Sequence, residues 1–592
     1  MPSEYDVLIR NAMIVDGTGS PSYRGAVGIE KERVAAVGKE ADVGKDAKTV
    51  IDAMGCIVSP GFIDVHNHGD MSIIYYPEAE GYLRQGITTF VCGNCGSSPG
   101  PYGDSVSNMF LSEVVSELGP DMYYPDSYLP RDQVNVKHRE LFGWEIDWHT
   151  IGGFFKKLEA KGLSPNYVPL LGHGPIRYLV MGKDHRRKAT KQEVEAMKPH
   201  VRQAMEDGCR GISVGRDYDS YYADLDELVA LASVAAEYGG VYSSHSLRTG
   251  LRRARRPGEF PPVKINGLLE AIDVGRKAKI PVQISHLGSL YDVTPMGSPI
   301  MTEASAKATL KIVDDAIQEG LDVSFDMIPG IRGFGTSTGI WLAGGLLPWL
   351  KIAGTREQFA KALRMKQFRE EIKETIWSGK YYSLNPNITP DWARGRLIME
   401  HKDPAYANKT IEQIAQERGI DPLDALMDAI VTDPDAKTGS RGRDSPREDP
   451  VRGMWYRHPA AMVGVDTYAL DTTWRQTSPP WNLPSENSFN GFASYFRRVV
   501  RESKFLSVEE AVKKVTSQSA AKFKLRDRGV FKPGAYADIV VMDLEHVTDR
   551  GEPLDPCRYP VGIEHVIVNG QIVIRNSAHT KARPGKILYR ER

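Results

Sequence analysis

The chain has 592 residues, a length that predicts two to four domains or one large barrel with additional segments. Hydrophobic residues make up 41% and charged residues 26%, a composition typical of a globular protein with a large core. The net charge of -1 gives no support for a nucleic-acid or membrane-surface partner, because both favour an excess of basic residues.

Neither a membrane span nor a secretory signal is expected. The longest apolar stretch, around residues 340–350, is far shorter than the ~20 residues that cross a bilayer. The first ten residues, MPSEYDVLIR, include acidic side chains and no long apolar core. Five cysteines are too few for a disulfide scaffold in a chain of this length, so we expect a cytoplasmic protein.

Both ends of the chain predict β-structure. Residues 1–55 alternate apolar and polar residues between Gly and Asp turns, and the segments ADIVVMDLE and GIEHVIVNGQIVI near the other end do the same. Asn569-Gly570 is typical of a hairpin turn. We predict that residues 1–58 and 530–592 form one small composite β-sandwich domain.

Residues 59–529 alternate short apolar strands with helical segments, the pattern of an α/β protein. Eight strands, most of them followed by a helix, match a parallel (β/α)8 TIM barrel, here with insertions near residues 100–150 and 380–455. Helices are expected over residues 224–238, 263–278 and 303–319. The predicted strands are 61–65, 88–92, 167–171, 211–214, 241–244, 282–285, 322–325 and 461–465.

Side chains that bind metals follow these strands. Five of the 14 histidines stand at predicted strand ends, and in a barrel the C-terminal strand ends build the active site. The residues concerned are His66, His68, Cys92, Cys95, His173, His245, His286 and Asp466. Imidazole, carboxylate and thiolate together favour zinc over magnesium or calcium.

The spacing of these residues predicts how they act. His66 and His68 are two residues apart in an extended segment, so both can bind one ion, and His245 with His286 can bind a second. Asp466 can ligate a metal and accept a proton from water. The C-x-x-C pair Cys92 and Cys95 has three interpretations at this point: a redox dithiol, half of a structural zinc site, or two unrelated thiols.

Several motifs resemble the amidohydrolase superfamily and, within it, the N-acyl-D-amino-acid deacylase (D-aminoacylase) family. The matches cover nearly the whole chain in order. They are PGFIDVHNH at 60–68, GNCG at 93–96, LGHG at 171–174, GGVY at 239–242, QISH at 283–286, LPW at 347–349, His458-Pro459 through Asp466, and ADIV at 537–540.

The resemblance implies a zinc-dependent centre with one or two ions. Cys95, His245 and His286 are the ligands implied for a tightly held zinc, and His66, His68 and Asp466 those of a second, weaker position. Asp466 is implied as general base and then general acid. Segment 211–215 has no lysine to bridge two metals, which favours Cys95 in that place. With no second C-x-x-C and no thioredoxin pattern, Cys92 is interpreted as a buried strand thiol.

The segments that hold the substrate carboxylate in the family are replaced here. The sequence after His286 is LGSLY, which has no nearby lysine. MIPG at 327–330 replaces the family's Tyr-Pro-Tyr element. PSENSF at 484–489 lacks the family's His and Arg. We therefore expect an altered carboxylate pocket.

The candidates for substrate binding are one residue after predicted strand three and four residues on the loops after predicted strands six, seven and eight. The candidates are His173, Tyr291, Arg332, Trp474 and Trp481. His173 is alternatively a structural residue, Trp474 and Trp481 the core of a lid, and Arg332 a surface residue.

The expected function is hydrolysis of a linear N-acyl amide bond in a small molecule. A cyclic amide such as a hydantoin, or a urea or carbamate, is an alternative substrate for the same metal centre. A non-catalytic barrel that serves as an assembly scaffold is a further alternative, and a homo-oligomer is possible.

Overall fold

The computed structural model describes most of the chain. The described residues are 5–40, 42–44, 46–107, 114, 128–247, 263–288, 299–329, 337–338, 346, 349, 352–377, 393, 396–440, 450–474, 484–552 and 555–591.

Eight parallel strands form the predicted barrel, numbered one to eight in chain order below. Neighbouring strands pair in parallel from Ile63 with Thr89 to Phe325 with Ala461, and the Val65 amide closes the ring on the Val463 carbonyl at 3.4 Å. The predicted fold class is thus confirmed. The strands are Phe62–Asp64, Ile87–Cys92, Asn166–Pro169 continued by Leu171–Gly172, Gly211–Gly215, Val241–His245, Val282–Ile284, Val323–Met327 and Ala461–Val463.

Helices cover the barrel because each buries one face. In Leu225–Glu237 the Asp224 side chain caps the first turn by accepting the Glu227 amide, and Leu228 and Leu231 face the core. Other helices of the barrel and its loops are Gly69–Ser72, Glu80–Leu83, Arg131–Phe142, Ile151–Lys161, His173–Met181, Lys191–Glu206, Val263–Ala278, Pro299–Gln318, Pro450–Arg457, Asn487–Tyr495, Val508–Lys514 and Ser517–Lys522.

Strands from both ends of the chain form one nine-stranded sheet. The Ile57–Pro60 strand pairs antiparallel with Ile539–Met542, which joins the N-terminal group to the C-terminal group. The Asn569-Gly570 turn between the last long strands has positive φ at both residues (46° and 77°), as the sequence predicts. The remaining strands are Tyr5–Ile14, Tyr23–Glu30, Arg33–Gly38, Ala47–Asp52, Ile563–Val568, Gln571–Arg575 and Ala578–His579.

Two insertions leave the barrel. After strand two, Ser105–Ser107 pairs with Tyr128–Pro130. Between strands seven and eight, a four-stranded sheet and four helices share a core of their own that includes Phe359 and Leu426. Its first described strand is Ser337–Thr338, so this unit begins well before the predicted insertion near residues 380–455. Its elements are Ser337–Thr338, Arg356–Ala362, Lys366–Trp377, Arg396–Glu400, Lys409–Thr410, Ile411–Arg418, Pro422–Thr432 and Lys437–Ser440.

The C-terminal segment beyond the nine-stranded sheet runs across the N-terminal ends of the barrel strands. Tyr167 on strand three donates its amide to the Lys586 carbonyl at 2.9 Å and accepts the Leu588 amide at 2.7 Å. Among the described helices, none is both long and apolar enough to cross a bilayer.

Candidate metal centre

The six residues predicted as metal ligands meet at one end of the barrel. His66 and His68 follow strand one, Cys95 follows strand two, and Asp466 follows strand eight. His245 is the last residue of strand five, and His286 stands two residues after strand six. Because the strands are parallel, their C-terminal ends share one face of the barrel, so residues far apart in sequence become neighbours.

The ligand atoms form two groups that share the Cys95 thiol. Its Sγ lies 3.4 Å from Nε2 of His66, 3.4 Å from Nδ1 of His245 and 3.8 Å from Nε2 of His286. Oδ1 of Asp466 lies 3.3 Å from Nε2 of His66 and 3.2 Å from Nε2 of His68. The first group is therefore His66, His68, Cys95 and Asp466, and the second is Cys95, His245 and His286.

These distances fit a metal ion. With ligand bonds of about 2.1 Å in a tetrahedral arrangement, ligand atoms stand roughly 3.4 Å apart, which is the range found in both groups. The donor set of imidazole nitrogens, a thiolate and a carboxylate is one that zinc accepts. The residues thus fit one ion in each group, with Cys95 placed to contact both.

The backbone at the centre is strained. Cys95, His286 and Asp466 have positive φ angles of 52°, 37° and 51°, a region that side chains other than glycine rarely adopt. Such conformations persist where the surrounding structure imposes them, and they concentrate at functional sites. Here they turn three side chains from the strand ends toward the centre.

A glycine next to the centre makes room for the Cys95 loop. A Cβ on Gly215, the last residue of strand four, would lie 2.1 Å from the carbonyl oxygen of Cys95. Only glycine allows this approach. Strand four therefore supplies space, and no lysine stands on it.

The two acidic ligands are anionic. Burial alone would raise the pKa of Cys95, but His66 and His245 hold it well below its ordinary value. Burial also opposes ionisation of Asp466, yet His66, His68 and His286 hold its pKa well below the usual range. A thiolate and a carboxylate thus face the histidines, the ionisation state that metal binding requires.

The histidines of the first group respond to the same charges. Burial alone would lower the pKa of His66, but Asp326, Cys95 and Asp466 raise it well above its ordinary value. His68 is also buried, and hydrogen bonds to Asp466 and Cys95 raise its pKa to about 10. Without a metal the imidazoles therefore carry the compensating positive charge.

Three buried aspartates support the ligands, and the sequence motifs do not indicate this role for them. Asp217 Oδ2 lies 3.2 Å from Nε2 of His245. Asp64 accepts the amides of His66 and Val465 at 3.2 and 3.1 Å and so ties strand one to strand eight.

Asp326 of strand seven is the third of these aspartates. Its Oδ1 accepts the His286 amide at 2.7 Å, and its Oδ2 lies 3.5 Å from Nδ1 of His66. A carboxylate inside an otherwise apolar strand was the signal available for Asp64 and Asp326.

Cys92 does not belong to the centre. Its thiol is buried and donates to Oδ1 of Asn67 at 3.1 Å, and burial raises its pKa well above the ordinary value. Cys92 is thus a protonated thiol in the strand, while Cys95, three residues later, lies among the histidines.

Two of the residues predicted to bind substrate, His173 and Trp474, lie in the described part of the chain, and both are buried. His173 is fully buried, with Nδ1 2.8 Å from Ser220 Oγ and Nε2 3.0 Å from Glu227 Oε1. This favours its structural interpretation. Trp474 is 4% exposed and packs in the main core rather than in the core of the insertion. Predictions for Tyr291, Arg332 and Trp481 fall outside the described residues.

Comparisons with known proteins agree with the geometry. The model of the Amidohydrolase family matches residues 385–574. An N-acyl-D-glutamate deacylase of Alcaligenes xylosoxydans xylosoxydans is 29% identical over 600 residues, which cover 100% of this chain and 98% of that protein. The D-aminoacylase of the same organism is 26% identical, with coverage of 99% and 98%.

A solved structure with a similar fold aligns over the full length of the chain. It is the N-acyl-D-glutamate deacylase of Bordetella bronchiseptica with zinc and a phosphonate inhibitor that mimics the tetrahedral intermediate. It is 26% identical, has a TM-score of 0.69, and covers 99% of this chain and 100% of its own. Similarity over the full length, together with the barrel and its C-terminal cluster of His, Cys and Asp, shows that the chain is homologous to N-acyl-D-glutamate deacylase and D-aminoacylase, with a match to the Amidohydrolase family over residues 385–574.

Proposed function

We propose that this protein is a zinc-dependent hydrolase that cleaves a linear N-acyl amide bond in a small molecule, a C–N bond other than a peptide bond. The observation that carries the proposal is the shared thiolate. Cys95 Sγ lies 3.4 to 3.8 Å from histidines of both groups, the separation that ligands of one ion have.

When bound, zinc would supply Lewis-acid chemistry, making water a nucleophile at neutral pH and polarising the amide carbonyl. The six residues of the two groups would hold the metal. Their protons must leave when it binds, because only neutral imidazole, thiolate and carboxylate are ligands.

Asp466 is the residue proposed to move protons. It is anionic, it lies at the edge of the first group, and its side chain is 7% exposed. It accepts the proton of the attacking water and then donates it to the departing nitrogen, which needs a proton to leave as an amine. Its own amide donates to the His66 carbonyl at 2.8 Å, which fixes the carboxylate beside strand one.

The described surroundings favour a substrate without a tightly held carboxylate. Arg216 follows strand four and pairs with Glu270 at 2.6 Å, and Arg177 pairs with Glu227, so neither guanidinium offers an unshared charge. Tyr218 and Tyr468 stand beside the ligands, with ring centroids 4.8 Å from His245 and 6.1 Å from His68. Aromatic walls of this kind suit an apolar or aromatic acyl or amine group.

Hydrolysis of a defined panel tests the substrate class. The panel contains N-acetyl-D-amino acids, N-acetyl-L-amino acids, carboxylate-free amides with aromatic groups, and a hydantoin. We expect the carboxylate-free amides to have a kcat/KM at least equal to that of the D-amino-acid derivatives. A clear preference for N-acetyl-D-amino acids would refute the altered carboxylate pocket, and a preference for the hydantoin would refute a linear substrate.

Substitution of the paired cysteines tests the metal centre. Cys95→Ala removes the thiolate common to both groups, so we expect loss of bound zinc, measured by elemental analysis, and loss of activity. Cys92→Ala is the matched control, because Cys92 contacts Asn67 rather than the ligands. Equal zinc in the two variants would contradict the assignment.

Asp466→Asn keeps the shape of the side chain but not its ability to accept a proton. We expect kcat to fall by about 100-fold or more, the range for loss of a general base. Wild-type kcat in this variant would exclude the proposed proton transfer. A wild-type protein that hydrolyses none of the panel would instead favour the scaffold alternative.

A further inference from the structure

Asp326 is not a member of either ligand group, but its carboxylate contacts a residue of each group. It stands in strand seven and is fully buried. One carboxylate oxygen meets His66 of the first group, and the other meets the backbone of His286 in the second. Asp217, in comparison, contacts His245 of the second group.

The contact with His286 supports a strained backbone. The His286 amide donates to Asp326 Oδ1 at 2.7 Å, a short hydrogen bond to a charged acceptor. The next amide, of Leu287, donates to the Asp326 carbonyl at 3.0 Å. Together these bonds hold His286 at a φ of 37°, which aims its ring at Cys95.

The contact with His66 acts on the position of a proton. Asp326 Oδ2 lies 3.5 Å from Nδ1 of His66, and its negative charge favours a proton on that nitrogen. In the neutral ring that binds a metal, Nε2, which lies 3.4 Å from Cys95 and 3.3 Å from Asp466, then keeps its lone pair for the ion.

The orientation of Oδ2 is itself fixed. Gln283 donates its side-chain amide to Asp326 Oδ2 at 3.0 Å, and Ser324 holds the other end of that amide by donating to Gln283 Oε1 at 2.7 Å. Oδ2 thus accepts the Gln283 amide and lies within ion-pair distance of His66 Nδ1. An acceptor is required at this point, and a donor would not fit.

We propose that Asp326 is a positioning residue that sets the tautomer of His66 and the backbone of His286, and so prepares the first and second metal positions together. The inference rests on the proposed function only in taking both groups to be metal positions.

Asp326→Asn separates the two effects. The asparagine oxygen still accepts the His286 amide, while its NH2 replaces Oδ2 and faces the donors of Gln283 and His66. His66 relieves this conflict by moving its proton to Nε2, the nitrogen that faces the metal. We therefore expect the zinc Kd of the first group to rise by about 10- to 100-fold, the usual effect of losing such a support, with the second group unchanged within ~3-fold.

The experiment uses the full-length protein, stripped of metal and titrated with zinc against a chromophoric chelator. Co2+ absorption from the Cys95 thiolate is recorded in parallel, and we expect this band to persist in Asp326→Asn. Asp217→Asn is the matched comparison, for which the second group is expected to weaken and the first to remain. Thermal unfolding shows whether each variant is folded.

A double variant shows whether Asp326 acts through His66. Asp326→Asn in a His66→Ala background should weaken zinc binding no further, because the imidazole whose proton Asp326 positions is absent. Unchanged zinc affinity in Asp326→Asn, equal weakening of both groups, or additive losses in the double variant would each overturn the proposal. A wild-type protein that binds no zinc overturns the proposed function instead, and a wild type that binds zinc at the second group alone overturns the coupling of the two groups.

Discussion

Buried ionic side chains next to the barrel strands serve structure as well as chemistry, and Glu227 is an example. It is 1% exposed and contacts both His173 and Arg177. Burial alone would raise its pKa, but the two partners lower it from 4.5 to about 2. A group whose pKa is lower in the folded state stabilises the fold above its unfolded pKa, and this contribution disappears as the pH falls from 4.5 toward 2.

Glu227→Gln should therefore lower the free energy of unfolding at pH 7 by about 3 kcal/mol, as expected when one partner of a buried ion pair is removed. Calorimetric Tm values of variant and wild type should converge as the pH falls from 4.5 toward 2, because the wild-type carboxylate of the folded protein is protonated only near pH 2. Glu237→Gln, on the exposed side of the same helix, is the control, since exposed pairs contribute about 0–1 kcal/mol. A Tm difference independent of pH would contradict the role assigned to Glu227.

At the scale of secondary-structure elements, the metal centre depends on how closely strand four approaches the Cys95 loop. Gly215 pairs with His245 on strand five. A Cβ added at Gly215 would lie 2.1 Å from the Cys95 carbonyl oxygen, which is too close for any side chain. Both neighbours are ligands, so a side chain here displaces parts of both groups.

Gly215→Ala is expected to weaken zinc binding by about 10-fold or more, although the residue is not itself a ligand. Gly288→Ala is the control: it lies two residues from His286, and its Cβ would meet no atom within 4 Å. Zinc titration of both variants tests the effect. Equal zinc affinity in the two variants would mean that the Cys95 loop can shift to accommodate a Cβ without weakening the metal centre.

At the scale of the whole molecule, the C-terminal segment fastens the terminal sheet to the barrel. Arg210, at the start of strand four, is buried and donates to the carbonyls of Leu588 and Tyr589 at 2.8 and 2.7 Å. Gly585 donates to the Leu163 carbonyl at 2.8 Å. These bonds lie at the opposite end of the barrel from the metal ligands.

Removal of residues 583–592 should lower the free energy of unfolding by at least about 2 kcal/mol, because buried groups that lose their hydrogen-bond partners cost about 1–3 kcal/mol each. The zinc content per folded molecule should not change. A chain that ends at Arg590 is the control, since it loses only the exposed Arg526–Glu591 contact among the described ion pairs. An unchanged Tm in the longer deletion would show that the segment does not stabilise the barrel.

Much of this fold is readable from the sequence because its signals are local. Short apolar strands that alternate with helices predict the barrel, and the rule that parallel strands end on one face predicts that His66, His245 and Asp466 converge. The family resemblance added the choice between Cys92 and Cys95, which the C-x-x-C spacing alone left open. The early start of the second insertion was missed, since its helices resemble those of a barrel.

Other features arise only when distant strands come together. The supports that Asp217 and Asp326 give to His245, His66 and His286 depend on register between neighbouring strands, which no local pattern encodes. The left-handed backbone at Cys95, His286 and Asp466 is likewise imposed by surrounding contacts against the preference of those residues. Local sequence therefore specifies which elements form and which ligand types they carry, whereas tertiary packing sets the distances, the tautomers and the charges, because these depend on atoms contributed by every strand of the barrel.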